Sequence, residues 1–192
     1  MKSILLAIII AVATTIAFCD NPQKSTKDNY FGPTAFACES YGNETFIRLQ
    51  EEVFVRGESY IALVGWSSAG FPSSFSTATT TLTAQPGYNG RIFTVYQVNY
   101  TSWDEMTTHC APDVPCTDCP PAPSTWLPLK NITISNNLAV WDSTTQFLNA
   151  KNNGLPGVSF LLAFAEFPNG FGLAYFYSRE ANNGKEPKTA YA

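Results

Sequence analysis

From residue 46 onward this chain alternates short apolar-rich runs with turn residues, a pattern that predicts strands rather than helices. Phe46 to Arg56 and Tyr60 to Trp66 are the first two strands, separated by Gly57-Glu58-Ser59. Ser76 to Ala84 carries Thr77, Thr79, Thr80, Thr81 and Thr83, and β-branched residues of this kind suit a pleated surface with one wet face. After the turn Gln85-Pro86-Gly87-Tyr88-Asn89-Gly90, the run Arg91 to Trp103 has the clearest period of two. It places Ile92, Thr94, Tyr96, Val98 and Tyr100 on one face and Phe93, Val95, Gln97, Asn99 and Thr101 on the other. Ile132 and Ile134 point one way while Asn131 and Thr133 point the other.

Val158 to Phe167 and Phe171 to Ser178 flank Pro168-Asn169-Gly170, which predicts a tight hairpin. The first of these runs is apolar on both faces, with Phe160, Leu162 and Phe164 on one and Leu161, Ala163 and Ala165 on the other. Such a strand is either central and covered or the wall of an apolar cavity. Helical periodicity is confined to one short segment, Ser143 to Asn153. The fold class expected is therefore all-β, a two-sheet antiparallel sandwich or half-barrel of about eight to ten strands.

The chain ends read differently. Met1-Lys2, the apolar run Ile4 to Ala17 and the small residues Ala17 and Cys19 predict a secretory signal peptide over 1–19. That run is short for a membrane span, which takes about 20 residues, so no transmembrane segment is expected. Residues 20–179 then form a single β-rich domain, opening with a loose polar lead-in from Asp20 to Pro33, and 180–192 is expected as a flexible polar tail. Secretion places the protein outside the cell, where thiols oxidise. With Cys19 in the leader, Cys38, Cys110, Cys116 and Cys119 make two disulfides in one of three connectivities. A bond from Cys38 into the later cluster closes a loop of about 70–80 residues, worth about 4 kcal/mol if chain entropy dominates.

Charged residues are only 14% of the chain against an average of about 25%, so something else must keep the surface wet. Three sequons offer that, at Asn43, Asn99 and Asn131. The net charge of −4 and the absence of any Lys or Arg run remove the electrostatic footprint of a nucleic-acid binder.

Candidate chemistry is sparse. His109 with the clustered cysteines has the donors for zinc, but oxidised cysteines compete, and one histidine is too few for blue copper. Asp104, Glu105, Asp113 and Asp118 are candidate calcium ligands in one loop region, although their spacing matches no EF-hand and acidic residues on a solvated loop look the same. The single histidine and the lack of a Gly-x-Ser-x-Gly elbow disfavour nucleophilic catalysis. A carboxylate-based hydrolase has Glu39, Glu51, Glu52, Asp142 and Glu166 to draw on, of which Glu166, at the end of an apolar run, stands out. Trp66, Trp103, Trp126 and Trp141 fall at strand ends or in loops, where exposed rings would stack on sugars.

The strand Arg91 to Trp103, the loop into Cys110, the Pro-rich stretch Pro112 to Pro128 and the later Leu138-Ala139-Val140-Trp141-Asp142 together resemble the ependymin-related secreted proteins. The Cys116-x-x-Cys119 pair and the absence of later cysteines depart from that family. The resemblance implies two stacked sheets curved around a hydrophobic pocket, with calcium as a candidate cofactor. The function expected is a secreted, glycosylated, non-enzymatic binding protein. It would hold an apolar or lipid-like ligand between its sheets, with Phe160, Leu162, Phe164, Leu173, Tyr175 and Tyr177 of the hairpin lining the pocket. A carbohydrate-binding or extracellular-matrix module using exposed tryptophans is the alternative, with glycans as partners. A hydrolase ranks third.

Overall fold

A computed structural model describes residues 22–31, 41–52, 60–103, 125–164 and 171–192. Eleven strands lie within them: β1 (Gln23–Lys24), β2 (Lys27–Phe31), β3 (Phe46–Glu52), β4 (Ile61–Ser67), β5 (Ala78–Thr83), β6 (Ile92–Val98), β7 (Leu127–Thr133), β8 (Leu138–Asp142), β9 (Gly157–Phe164), β10 (Phe171–Tyr177) and β11 (Lys188–Tyr191). One helix, α1 (Thr144–Asn152), joins β8 to β9. All strand pairs are antiparallel. One sheet has the order β2-β4-β9-β6-β7; a second has β1-β11-β5-β8, and β10 pairs with β3. The β10-β3 unit is tied to the second sheet by an Ala84–Phe176 bridge and to the first by a Gln50–Tyr60 bridge. Side chains from both sheets and from the β10-β3 unit meet in one apolar core, so the architecture is sandwich-like.

Strand periodicity places the core. On β5, Ala78, Thr80 and Leu82 point inward while Thr79 is exposed and Thr81 and Thr83 are half-buried. The inward Thr80 hydroxyl is satisfied by Ser143 Oγ at 2.8 Å and Thr189 Oγ1 at 3.0 Å, so three elements share one buried hydroxyl chain. On α1, Phe147 and Ala150 face inward, and the Phe147 ring meets Trp66, Phe71, Phe160 and Tyr191. The helix starts where Asp142 Oδ1 accepts from the Thr144 N–H at 2.9 Å.

Three expectations are corrected. The runs around 168–170 do not pair as a hairpin: β9 sits between β4 and β6, whereas β10 pairs with β3. A two-residue turn does occur, but at Asn136-Asn137, where both φ angles are positive (51° and 60°), as a type I′ turn requires and asparagine tolerates. It carries the chain from β7 in one sheet to β8 in the other. Second, the described part of the lead-in, 22–31, is not loose. Ser25, Asp28 and Asn29 are buried, and the Asp28 carboxylate accepts from the Arg179 N–H at 2.7 Å. Third, residues 180–192 are not a flexible tail. β11 is an inner strand between β1 and β5, with Thr189 and Tyr191 buried. Residues 22–31 and 180–192 escape a periodicity search because they are polar, and they order by clasping each other. Tyr191 Oη bonds Gln23 Oε1 at 2.7 Å, the Ser25 N–H donates to the Pro187 carbonyl at 2.8 Å, and Lys24 pairs with the buried Glu186 at 3.2 Å.

Two predictions follow from this packing. Any Cβ at Gly157 would stand 2.3 Å from the Trp66 carbonyl oxygen and 2.7 Å from the Tyr100 ring. Gly157→Ala should therefore destabilise the fold by about 1–3 kcal/mol in a denaturant melt, and unchanged stability would contradict the packing. Burial pushes the Glu186 carboxyl up, but the N–H groups of Glu186 and Gly184 and the Lys24 ammonium outweigh it and hold the group below its ordinary 4.5. A carboxyl lowered on folding contributes stability above that value and loses it as pH falls through the range beneath. Acid titration of stability should show a loss below about pH 4.5 that Glu186→Gln diminishes.

Candidate functional site

β10 reads Phe-Gly-Leu-Ala-Tyr-Phe-Tyr, and its alternation sends Ala174 and Phe176 into the core and Leu173, Tyr175 and Tyr177 to the outside, where they are half-buried. Opposite them in register stand Gln50, Arg48 and Phe46 of β3, respectively. The Phe46 ring meets Tyr175 edge-on at 5.1 Å, and Tyr88, from the β5–β6 turn, lies 5.9 Å from Tyr175. On the other side, Phe46 stacks with Tyr30 at 6.1 Å, which in turn stacks on Tyr41 at 4.4 Å and meets Tyr60 at 5.9 Å. A continuous row of rings thus runs from the buried Tyr30 and Tyr60 to the half-buried Tyr41, Phe46, Tyr175 and Tyr88.

One cation sits within it. The Arg48 guanidinium lies 4.1 Å over the Tyr60 ring, and its Nη2 donates to Gln50 Oε1. Its Nε is buried and has no hydrogen-bond partner among the described residues. Burial, with the charges of Glu44 and Tyr41, pushes the Tyr30 phenol far above its ordinary value; burial and Tyr175 raise Tyr88 despite Arg48. These hydroxyls stay protonated at neutral pH and can donate hydrogen bonds. At the far end, Lys185 lies 4.8 Å from the Tyr177 ring.

The six residues expected to line one pocket fall into two groups. Leu173, Tyr175 and Tyr177 belong to this outer surface. Phe160 and Leu162 are wholly buried and Phe164 nearly so, all on the core face of β9. Phe160 touches the rings of Trp66, Trp141 and Phe147, so the space beside it is filled by side chains. The two groups separate because β9 and β10 lie in different sheets. Phe46, Arg48, Tyr30, Tyr41, Tyr60 and Tyr88 were not singled out in the sequence. The one local signal was Arg48, a lone cation in the apolar strand Phe-Ile-Arg-Leu.

The tryptophans correct a second expectation. Trp66, Trp103 and Trp141 are buried, and only Trp126 is half-exposed, packed 5.5 Å from Tyr96. Trp66 Nε1 donates to the Gln23 carbonyl and Trp103 Nε1 to Ser159 Oγ, so these rings are internal braces rather than sugar platforms.

Cys38, Cys110, Cys116, Cys119, the candidate calcium ligands Asp104, Glu105, Asp113 and Asp118, and the candidate acid Glu166 lie outside the described residues. Among those described, no group of three or more His, Cys, Asp or Glu side chains is placed to hold a metal ion. Asp142 is exposed, and its carboxyl is held below the ordinary range by the Thr144 hydroxyl and N–H, a helix-start role. Asn43, Asn99 and Asn131 are all exposed. No described helix is long and apolar enough to cross a membrane.

Among the described residues, clefts also open elsewhere on the surface. One of 510 Å³ lies on the outer face of β5, lined by Thr77, Thr79, Thr81, Asp142 and Ala190 among others. One of 320 Å³ lies where β6, β7 and the α1–β9 turn meet, and one of 280 Å³ beside Phe71 and Lys151. No protein-family model matches the chain, and no curated protein matches it.

Burial of three tryptophans is checked by fluorescence quenching. Acrylamide should reach Trp126 more readily than Trp66, Trp103 or Trp141, so Trp126→Phe should remove the most quenchable component. Equal quenching of all four rings would contradict the packing.

Proposed function

We propose that the protein is a secreted, glycosylated, non-enzymatic binding protein whose apolar, lipid-like ligand lies on the outer face of the β3–β10 pair. The observation that carries this reading is the half-buried row Leu173, Tyr175 and Tyr177, opposite Phe46 and Arg48 and continuous with Tyr88. Covering such a row removes apolar area from water at about 25 cal/mol per Å². Tyrosine presents large contact area with only two side-chain torsions to lose, and tyrosine and arginine are both enriched at recognition hot spots. The ligand site moves from between the sheets to this face because Phe160 is fully buried against the rings of Trp66, Trp141 and Phe147. Secretion follows from the leader at 1–19 and glycosylation from the three sequons. The ependymin-related resemblance points the same way, and two disulfides among Cys38, Cys110, Cys116 and Cys119 complete the reading.

An environment-sensitive apolar dye bound to the secreted protein, with long-chain fatty acids as competitors, tests it. Binding should be saturable and displaceable, and about tenfold weaker in Tyr175→Ala or Leu173→Asp. Thr79→Arg, on the outer face of β5, should leave it unchanged. No saturable binding, or equal losses in all three variants, would overturn the reading. A glycan array that bound when the dye did not would instead favour a carbohydrate-binding module.

A further inference from the structure

We propose that Asn99 carries an N-linked glycan whose first sugar seats in the adjoining cleft, as a permanent cover over Leu127 and Leu155. This rests on the secreted, glycosylated reading above. The site is built by the end of β6, where the chain leaves Val98 and turns through a short 3-10 segment, Tyr100–Ser102. The turn is pinned. Tyr100 lies against Gly65 and Gly157, a Cβ at Gly157 would stand 2.7 Å from its ring, and its hydroxyl is 3.2 Å from Thr26 Oγ1. Lys27 Nζ donates to the carbonyls of Tyr100 and Trp103 at 2.6 and 2.7 Å while lying 4.0 and 4.1 Å from their ring centres. The backbone of Asn99 is therefore held in place by its own sequon's middle residue.

Within the sequon, Asn99 Oδ1 accepts from the Thr101 N–H and the Thr101 hydroxyl, both at 3.0 Å. Asn99 and Thr101 are exposed, and Asn99 lines the 320 Å³ cleft together with Val98, Leu127, Leu155, Pro156 and Gly157. Leu127 and Leu155 are 61% and 39% exposed, among the few large apolar side chains left in water. Asn43 and Asn131 are also exposed, but neither lines this cleft.

The attachment chemistry needs a lipid-diphosphate-linked oligosaccharide as donor. Asn99 Nδ2 forms a bond to C1 of the first sugar and loses one proton to the transferring enzyme. The C1–O bond to the diphosphate breaks with its electron pair, and the lipid diphosphate departs. Transfer acts on the emerging chain, so the fold need only leave Asn99 at the surface with room beside it. Once attached, the sugar is tethered at the lip of the cleft. Its effective concentration there is about millimolar or higher, so weak contacts between its C–H face, its N-acetyl methyl and the two leucines suffice. Gln97, Gln146 and Thr125 on the same wall can meet its hydroxyls.

The test is intact mass and methyl NMR on protein secreted by a glycosylating host. A glycan at Asn99, with cross-relaxation from its N-acetyl methyl to Leu127 and Leu155, is the expected result. Trimming to the first sugar should preserve those contacts. Removing that sugar should abolish them and lower the thermal midpoint by about 2–4 °C. Thr101→Ser should retain the glycan, and enzymatic removal from the natural chain gives the answer even if Asn99→Gln fails to fold. An unmodified Asn99 would overturn the proposal together with glycosylation at this sequon. A glycan with no contact to either leucine would overturn the seat alone and leave the glycoprotein reading standing.

Discussion

The structure depends on burying β9 on both of its faces. Val158, Phe160, Leu162 and Phe164 face the main core, while Leu161 belongs to a second cluster with Leu63, Val98 and Trp103. A strand with two apolar faces is stable in water only when both are covered. The first face is covered by the second sheet and by Phe147 of α1. The second is covered by Trp103, which bonds the buried Ser159 hydroxyl, with Tyr96 and Trp126 packed alongside. Because Trp103 must reach back over β9, the chain after β6 has to turn sharply, and the Lys27–Tyr100–Gly157 contacts hold that turn. The Asn99 sequon is carried there as a consequence of the same requirement.

The second constraint is the clasp between the chain ends. β11 lies between β1 and β5, so the four-stranded sheet cannot form until residues at opposite ends of the chain have met. Such distant pairing carries a large loop-closure cost, which specific contacts must offset. Here the contacts are mostly polar: Gln23 with Tyr191, Lys24 with Glu186, and Asp28 with the backbone of Arg179. Tyr191 adds apolar anchorage through Phe71, Phe75 and Phe147.

The separation of β9 from β10 decides where recognition can occur. With β9 central, its phenylalanines are committed to the interior. β10, which among the described residues pairs with β3 and is bridged at Phe176 to Ala84 just after β5, turns Leu173, Tyr175 and Tyr177 away from the core. The half-buried Tyr175 and Phe46 stand beside Arg48, which lies over the buried Tyr60 ring and whose Nε has no hydrogen-bond partner among the described residues.

By itself the sequence determined the local geometry: most of the strands, the one short helix, the wet Thr face of β5, the inward Ile132 and Ile134, and the two-faced apolarity of β9. These follow from side-chain periodicity, which is written into consecutive residues. Only the tertiary structure decided which strands pair, that Asn136-Asn137 turns the chain between sheets, that Trp66, Trp103 and Trp141 are internal, and that the polar ends form strands. Those outcomes depend on partners far apart along the chain. A polar run such as Lys188-Thr189-Ala190-Tyr191 has no apolar alternation strong enough to announce a strand, and becomes one because β1 and β5 supply its hydrogen bonds. In the same way Leu173, Tyr175 and Tyr177 could be assigned to a common face from sequence, but pairing with β3 chose which side of the sheet that face would meet.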